Sequence, residues 1–221
     1  MFRFQKWYLD LVTGDGTVFI GYHARLTWGA VRAKWASTLL SPAGARSLEA
    51  TSLRGTGIVT RNSQTVSWTC PSLDVTAAWQ FIAPPVRQTL LDESRGAIRW
   101  ECPCTSGEAT VKVGDARLRG IGCAERLTLT LRPWQFPFDH LTWGRYATTQ
   151  NAVTWIAWQG KCSTVGLEKR GSATRGATGR RRSRGTRRGC RPAIRIFSRP
   201  PAAPSCGLHY GRSSCGDPAA R

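Results

Sequence analysis

The chain has 221 residues and a formal net charge of +19, from 32 Lys+Arg against 13 Asp+Glu, with ten tryptophans and eight cysteines. That length allows one domain or two small ones, and so few cysteines in so long a chain exclude a disulfide-dense scaffold. With no apolar run near the ~20 residues of a membrane-spanning helix and no apolar stretch behind the charges of Met1-Phe2-Arg3-Phe4-Gln5-Lys6, the expectation is a protein without a transmembrane segment or secretory signal, in the cytoplasm or at the periphery of a membrane.

Apolar residues recur at every second position, the period of a pleated strand. Residues 3–12 alternate Phe4, Lys6, Tyr8, Asp10 against Gln5, Trp7, Leu9, Leu11. Residues 17–28 place Val18, Ile20, Tyr22, Ala24, Leu26 and Trp28 on one side. Thr17, Gly21, His23, Arg25 and Thr27 fall on the other, with Phe19 out of pattern. The link Thr13-Gly14-Asp15-Gly16 is turn chemistry, so residues 3–28 read as a hairpin.

Residues 31–40 follow with Val31, Ala33, Trp35 and Leu39 on one face, before Ser41-Pro42-Ala43-Gly44 breaks the chain. Further strands are expected at 64–70 (Val66, Trp68, Cys70) and 75–82 (Val75, Ala77, Trp79, Phe81), the latter ended by Ala83-Pro84-Pro85. The remaining ones are 97–102 (Ile98, Trp100, Cys102), 109–113, 121–131 (Ile121, Cys123, Glu125, Leu127, Leu129, Leu131) and 152–159. About nine short strands with turns between them predict an all-β antiparallel barrel or sandwich, with the large aromatics lining its interior.

The chain changes character at residue 160. Residues 1–160 carry 17 basic and 11 acidic side chains and all ten tryptophans, whereas residues 161–221 carry 15 basic and 2 acidic ones, with Phe197 and Tyr210 as their aromatics. The run Gly179-Arg180-Arg181-Arg182-Ser183-Arg184-Gly185-Thr186-Arg187-Arg188-Gly189 is low in complexity. A segment so poor in apolar area cannot offset its chain entropy, so 161–221 is expected to be a disordered Arg/Gly-rich tail. Three readings of it stay open: a solvated tail, a nucleic-acid arm acting through residues 180–191, and a frameshifted translation of a disrupted gene. In the last case the product would be non-functional, with an unpaired edge near residues 152–159.

Several short motifs carry a family likeness. Gly120-Ile121-Gly122-Cys123-Ala124-Glu125 is followed by Pro133-Trp134, Trp143-Gly144-Arg145-Tyr146 and Val153-Thr154-Trp155-Ile156-Ala157-Trp158. Trp7-Tyr8-Leu9-Asp10 opens the first hairpin. This set resembles the lipocalin-like superfamily that includes carotenoid 1,2-hydratase (hydroxyneurosporene synthase) and, more distantly, tocopherol cyclase. The resemblance implies a lipocalin-like barrel, whole or lacking its last strands, and a lipophilic, isoprenoid- or carotenoid-like small molecule as ligand. At most it implies a hydratase-type lyase. The chain departs from the family where a Tyr and a His/Asp-rich stretch belong: Cys123, Ala124, Glu125 and Arg126 stand there. Those enzymes also carry two lipocalin-like halves.

Hydrating an isolated double bond needs a proton donor in an apolar pocket, where desolvation keeps a carboxyl protonated, and aromatic faces that stabilise the cation. Glu125 shares parity with Leu127, Leu129 and Leu131 and is the first candidate; the alternative is a carboxylate paired with Arg119 or Arg145. Asp10 is a second candidate or a surface residue before the turn. Asp139 and His140 form a third, adjacent acid–base pair. His23, opposite the apolar set of its strand, is expected to be exposed, and Glu101 to pair with Arg99. Tyr22, Trp28, Trp35, Trp68, Trp79, Trp100, Trp143, Arg145 and Trp155 are the expected ligand-binding residues. Cys102-Pro103-Cys104 lacks the C-x₂-C spacing of zinc sites, so no metal is expected. No phosphate or dinucleotide fingerprint is present, so no cofactor is expected.

Overall fold

The structure, a computed structural model, describes residues 1–82, 84–147, 151–159 and 164–172. Thirteen strands lie among the described residues: β1 (Phe2–Thr13), β2 (Val18–Trp28), β3 (Val31–Ser41), β4 (Leu48–Ser52), β5 (Ile58–Arg61), β6 (Thr65–Cys70), β7 (Val75–Phe81), β8 (Val86–Glu93), β9 (Gly96–Val113), β10 (Ala116–Leu129), β11 (His140–Ala147), β12 (Asn151–Gln159) and β13 (Thr164–Ser172). Ten form one antiparallel sheet in the order β4-β3-β2-β1-β10-β9-β7-β6-β5, with β8 also on β9; the other three form a sheet β11-β12-β13. The large sheet curls into a half-barrel. No helix among the described residues is long and apolar enough to cross a membrane.

The expected first hairpin is present, with Tyr8 opposite Tyr22. Its turn is held by the Asp15 carboxylate, which accepts from the Thr17 amide at 3.1 Å and from the Thr13 hydroxyl. Gly16 sits there at φ +87°, a left-handed conformation open to glycine. Two expected strands, 97–102 and 109–113, prove to be one. β9 runs 18 residues through Cys102-Pro103-Cys104, pairing with β8 along its first part and with β7 along its last. Its ladder to β10 shifts register twice between Gly122 and Arg126. Pro103, which has no amide to donate, falls in that irregular stretch. The tail readings fall largely outside the described residues; β13 does pair with β12, past the residue-160 boundary expected from composition.

Both faces of the sheet are buried, where one apolar and one polar face were expected. On the first face the curl encloses Trp7, Leu9, Leu11, Phe19, Val66, Trp68 and Trp79. Trp68 and Trp79 have no exposed surface, and each removes ~200 Å² from water, a gross stabilisation of about 5 kcal/mol. Gly21 permits this packing, since a Cβ there would stand 2.5 Å from the Trp68 ring. His23 shares this face and is buried, which corrects the expectation of exposure: the curl brings β5 and β6 over the odd positions of β2. On the second face lie Phe2, Ile98 and Leu129, then Trp100, Cys102 and Cys123. β11 and β12 cover that second group through Trp143, Ile156 and Trp158.

Candidate functional site

The covered second face holds polar chemistry. Asp10, only 2% exposed, stands on the even side of β1 next to Cys123 of β10. Its carboxylate accepts from Arg145 Nη2 at 2.7 Å on both oxygens and from the Cys123 amide at 2.9 Å. Burial pushes the Asp10 carboxyl up, and the Arg145 guanidinium opposes it. The expectations of a surface Asp10 and of Arg145 beside Glu125 are both corrected here. β11 brings in Arg145 from 135 positions away, and Arg119 pairs with Glu108 instead.

Glu125 lies beside Tyr8 across the β1–β10 ladder. Its carboxylate accepts from Trp100 Nε1 at 2.9 Å. Desolvation raises its pKa to about 8; the Trp100 hydrogen bond opposes the rise, the Asp10 charge adds to it, and Lys6 and a hydrogen bond from Trp143 oppose it. Tyr8 packs edge-on to Trp143 at 5.1 Å and to Tyr22 at 5.4 Å, and burial pushes its phenol well up. Lys6 stands 4.1 Å over the Tyr22 ring.

Two buried polar atoms of the covering strands, Arg145 Nη1 and Thr154 Oγ1, have no hydrogen-bond partner. Arg145 and Thr154 are directly opposite on β11 and β12, and Trp143 shares the strand face of Arg145. Buried groups of this kind are nearly always satisfied, so their concentration at the Asp10–Arg145 pair fits a place for a ligand's oxygen.

Cys102, Cys123 and Glu125 bring their donor atoms within 4.8 Å of one another, with the two sulfurs 3.6 Å apart. Desolvation holds the Cys102 thiol well above its usual range. A metal needs the thiolate, and the Arg145 charge beside it repels a cation, so the donor set fits a metal poorly.

The other expected residues are dispersed. Trp35 stacks on Phe4 at 5.7 Å on the second face. Trp28 and Trp155 are exposed at 46% and 39%, so neither lines an interior: Trp28 ends β2, and Trp155 lies on the side of β12 opposite Ile156. Trp68 and Trp79 are closed off in the first-face core, and Trp79 Nε1 donates to the Asp10 carbonyl at 2.6 Å. Asp139 and His140 are exposed at the start of β11. Glu101 pairs with Arg126, its ladder neighbour on β10, and Arg99 approaches Asp92, which corrects the expected Glu101–Arg99 pair. Lys6, Cys102 and Cys123 were not singled out from sequence, although their parity with Tyr8 and Glu125 was the available signal.

An apolar strip runs along the second face from this cluster. Leu127, Leu90 and Trp158 adjoin Trp100. Beyond them a small cleft of about 20 Å³ is lined by Leu91, Ile98, Pro137, Phe138 and Leu141.

No family model and no curated protein matches this chain. A solved structure of a candidate AttH protein from Nitrosomonas europaea does, with TM-score 0.51 and 13% identity over 76% of this chain. The chain spans 65% of that protein's length. The likeness shows an AttH-like, lipocalin-like fold.

Proposed function

We propose that the chain binds a lipophilic small molecule of isoprenoid type along the second face and that Glu125 is placed to protonate it. The observation that carries this reading is the position of the Glu125 carboxyl. It is held by Trp100 and Trp143 at the head of an apolar strip. The ligand's chain takes the strip between β8–β9 and the segment 136–141. Because the cleft there is small, binding parts Phe138 and Leu141 from Leu90 and Leu91.

The chemistry this arrangement suits is addition of water to an isolated double bond. The Glu125 carboxyl gives its proton to one alkene carbon, leaving a cation on the other. The faces of Tyr8 and Trp143 stabilise that charge. A water held by Arg145 and Thr154 adds to the cation, and its surplus proton returns to Glu125. One water is consumed per double bond and the acid is regenerated. A pKa near the operating pH suits a group that must both give and retake a proton.

Titration of the full chain with an acyclic carotenoid tests the reading, followed by tryptophan fluorescence and by mass analysis of the extracted lipid. The expected result is saturable quenching and a product heavier by one water, with Glu125→Gln keeping the quenching and losing the product. Absence of quenching by acyclic carotenoids, quinones and fatty acids alike would overturn it.

A further inference from the structure

A second cleft, of about 270 Å³, opens on the first face, away from Glu125. β1 supplies Gln5 and Trp7 to it, β2 His23 and Arg25, β5 Arg61, and β10 Arg126. The register explains the grouping, since Trp7 is opposite both His23 and Arg126, and Gln5 is opposite Arg25. The curl then brings Arg61 of β5 to the same opening.

Three guanidiniums from strands far apart in sequence thus line one recess that has no carboxylate in its wall. Arg126 is held from outside the cleft by Glu101 and lies 5.4 Å over the Trp7 ring. Arg25 and Arg61 make no ion pair with the described residues. Arg25 is also directly opposite Lys34 on β3, an arrangement of like charges that costs stability in a ladder. An anion would offset that cost.

His23 supplies the independent observation. It is only 3% exposed, lines the cleft, and its Nε2 has no hydrogen-bond partner. Desolvation lowers its pKa to about 4, Arg25 and Lys34 push the same way, and the Gly57 backbone opposes them. The ring is therefore neutral at pH 7 with one nitrogen uncommitted.

We propose that this cleft binds the phosphate group of a small phosphate monoester. One arginine suffices for a carboxylate, which it grips in a bidentate pair. Three converging arginines match a group with three acceptor oxygens and close to two negative charges. The uncommitted nitrogen of a neutral His23, bearing the ring's one proton, is placed to donate to a phosphate oxygen.

The test uses the full chain. Because residues 161–221 carry 15 basic side chains that also attract phosphate, the readout is the imidazole ¹⁵N signals of His23, resolved from His140 and His209. Inorganic phosphate and phenyl phosphate are expected to shift the His23 signals saturably. Arg61→Ala and Arg25→Ala, both outside the core, should each weaken binding about tenfold or more. Vesicles of phosphatidic acid distinguish a lipid headgroup: if they shift His23 and phenyl phosphate does not, the soluble ester is overturned. Shifts confined to His140 and His209, variants that titrate like the parent chain, or equal affinity for acetate would each overturn the phosphate site.

Discussion

The two faces of the large sheet are built from the same strands and are both buried, yet they differ in what they bury. On the first face Trp68 and Trp79 pack without exposed surface against aliphatic neighbours. On the second, Asp10 and Glu125 lie beneath β11 and β12, with Asp10 paired to Arg145 of β11. An apolar core needs nothing further to be stable. A buried polar cluster costs desolvation free energy and is retained where it does something else. The contrast assigns stability chiefly to the first face and chemistry to the second.

The largest effect is expected from the first face. Trp68→Ala should cost about 5 kcal/mol, because the surrounding strands cannot collapse into the space of an indole; urea unfolding measures it. A loss of the order of a surface substitution would mean that the curl is not closed around Trp68. Next comes Asp10→Ala, which strands the Arg145 charge under β11 and should cost about 3–4 kcal/mol. The double variant Asp10→Leu/Arg145→Met sharpens the comparison. It should recover most of that stability while abolishing any ligand response, since the pair serves function more than folding. Smaller again is Gly21→Ala, whose added methyl meets the Trp68 ring and should cost about 2 kcal/mol by overpacking.

The pH dependence of stability has opposite signs on the two faces. Glu125, on the second face, has its pKa raised from 4.5 to about 8, so the folded state holds a proton that the unfolded chain has lost. Stability from this group is full below pH 4.5 and falls as pH rises toward about 8. His23, on the first face, has its pKa lowered from 6.5 to about 4, so the unfolded chain takes up a proton first. Stability from it is full above pH 6.5 and falls as pH drops toward about 4. Unfolding curves across this range should show Glu125→Gln flattening the alkaline limb and His23→Gln the acid limb. If the two variants had the same signature, the assignment of these groups to different environments would fail.

Parity along each strand was legible in the sequence, because a pleat sends alternate side chains to opposite faces whatever lies beyond them. It placed Glu125 with Leu127 and Tyr8 with Asp10, and the Gly-rich turn closed the first hairpin. What parity cannot say is whether a face is covered. His23 and Arg25 read as the solvent side of β2 because they are polar, yet β5 and β6 bury His23. Asp10 read as a surface residue because its partner, Arg145, is 135 positions away. Strands 97–102 and 109–113 read as two, but the bulged ladder between β9 and β10 takes in Pro103 and makes them one. Trp28 and Trp155 read as lining because tryptophans are usually buried. The first ends its strand, and the second lies on the uncovered side of β12.

The separation of the faces rests most directly on the protonation state of Glu125 in the folded chain at neutral pH. Infrared difference spectra between the parent chain and Glu125→Gln report it, because a protonated carboxyl and a carboxylate absorb in separate bands. A carboxylic-acid band at pH 7 that titrates away near pH 8 and is missing from the variant is the predicted result. A carboxylate band that persists down to about pH 4.5 would contradict it, and with it the second face as a site of proton transfer.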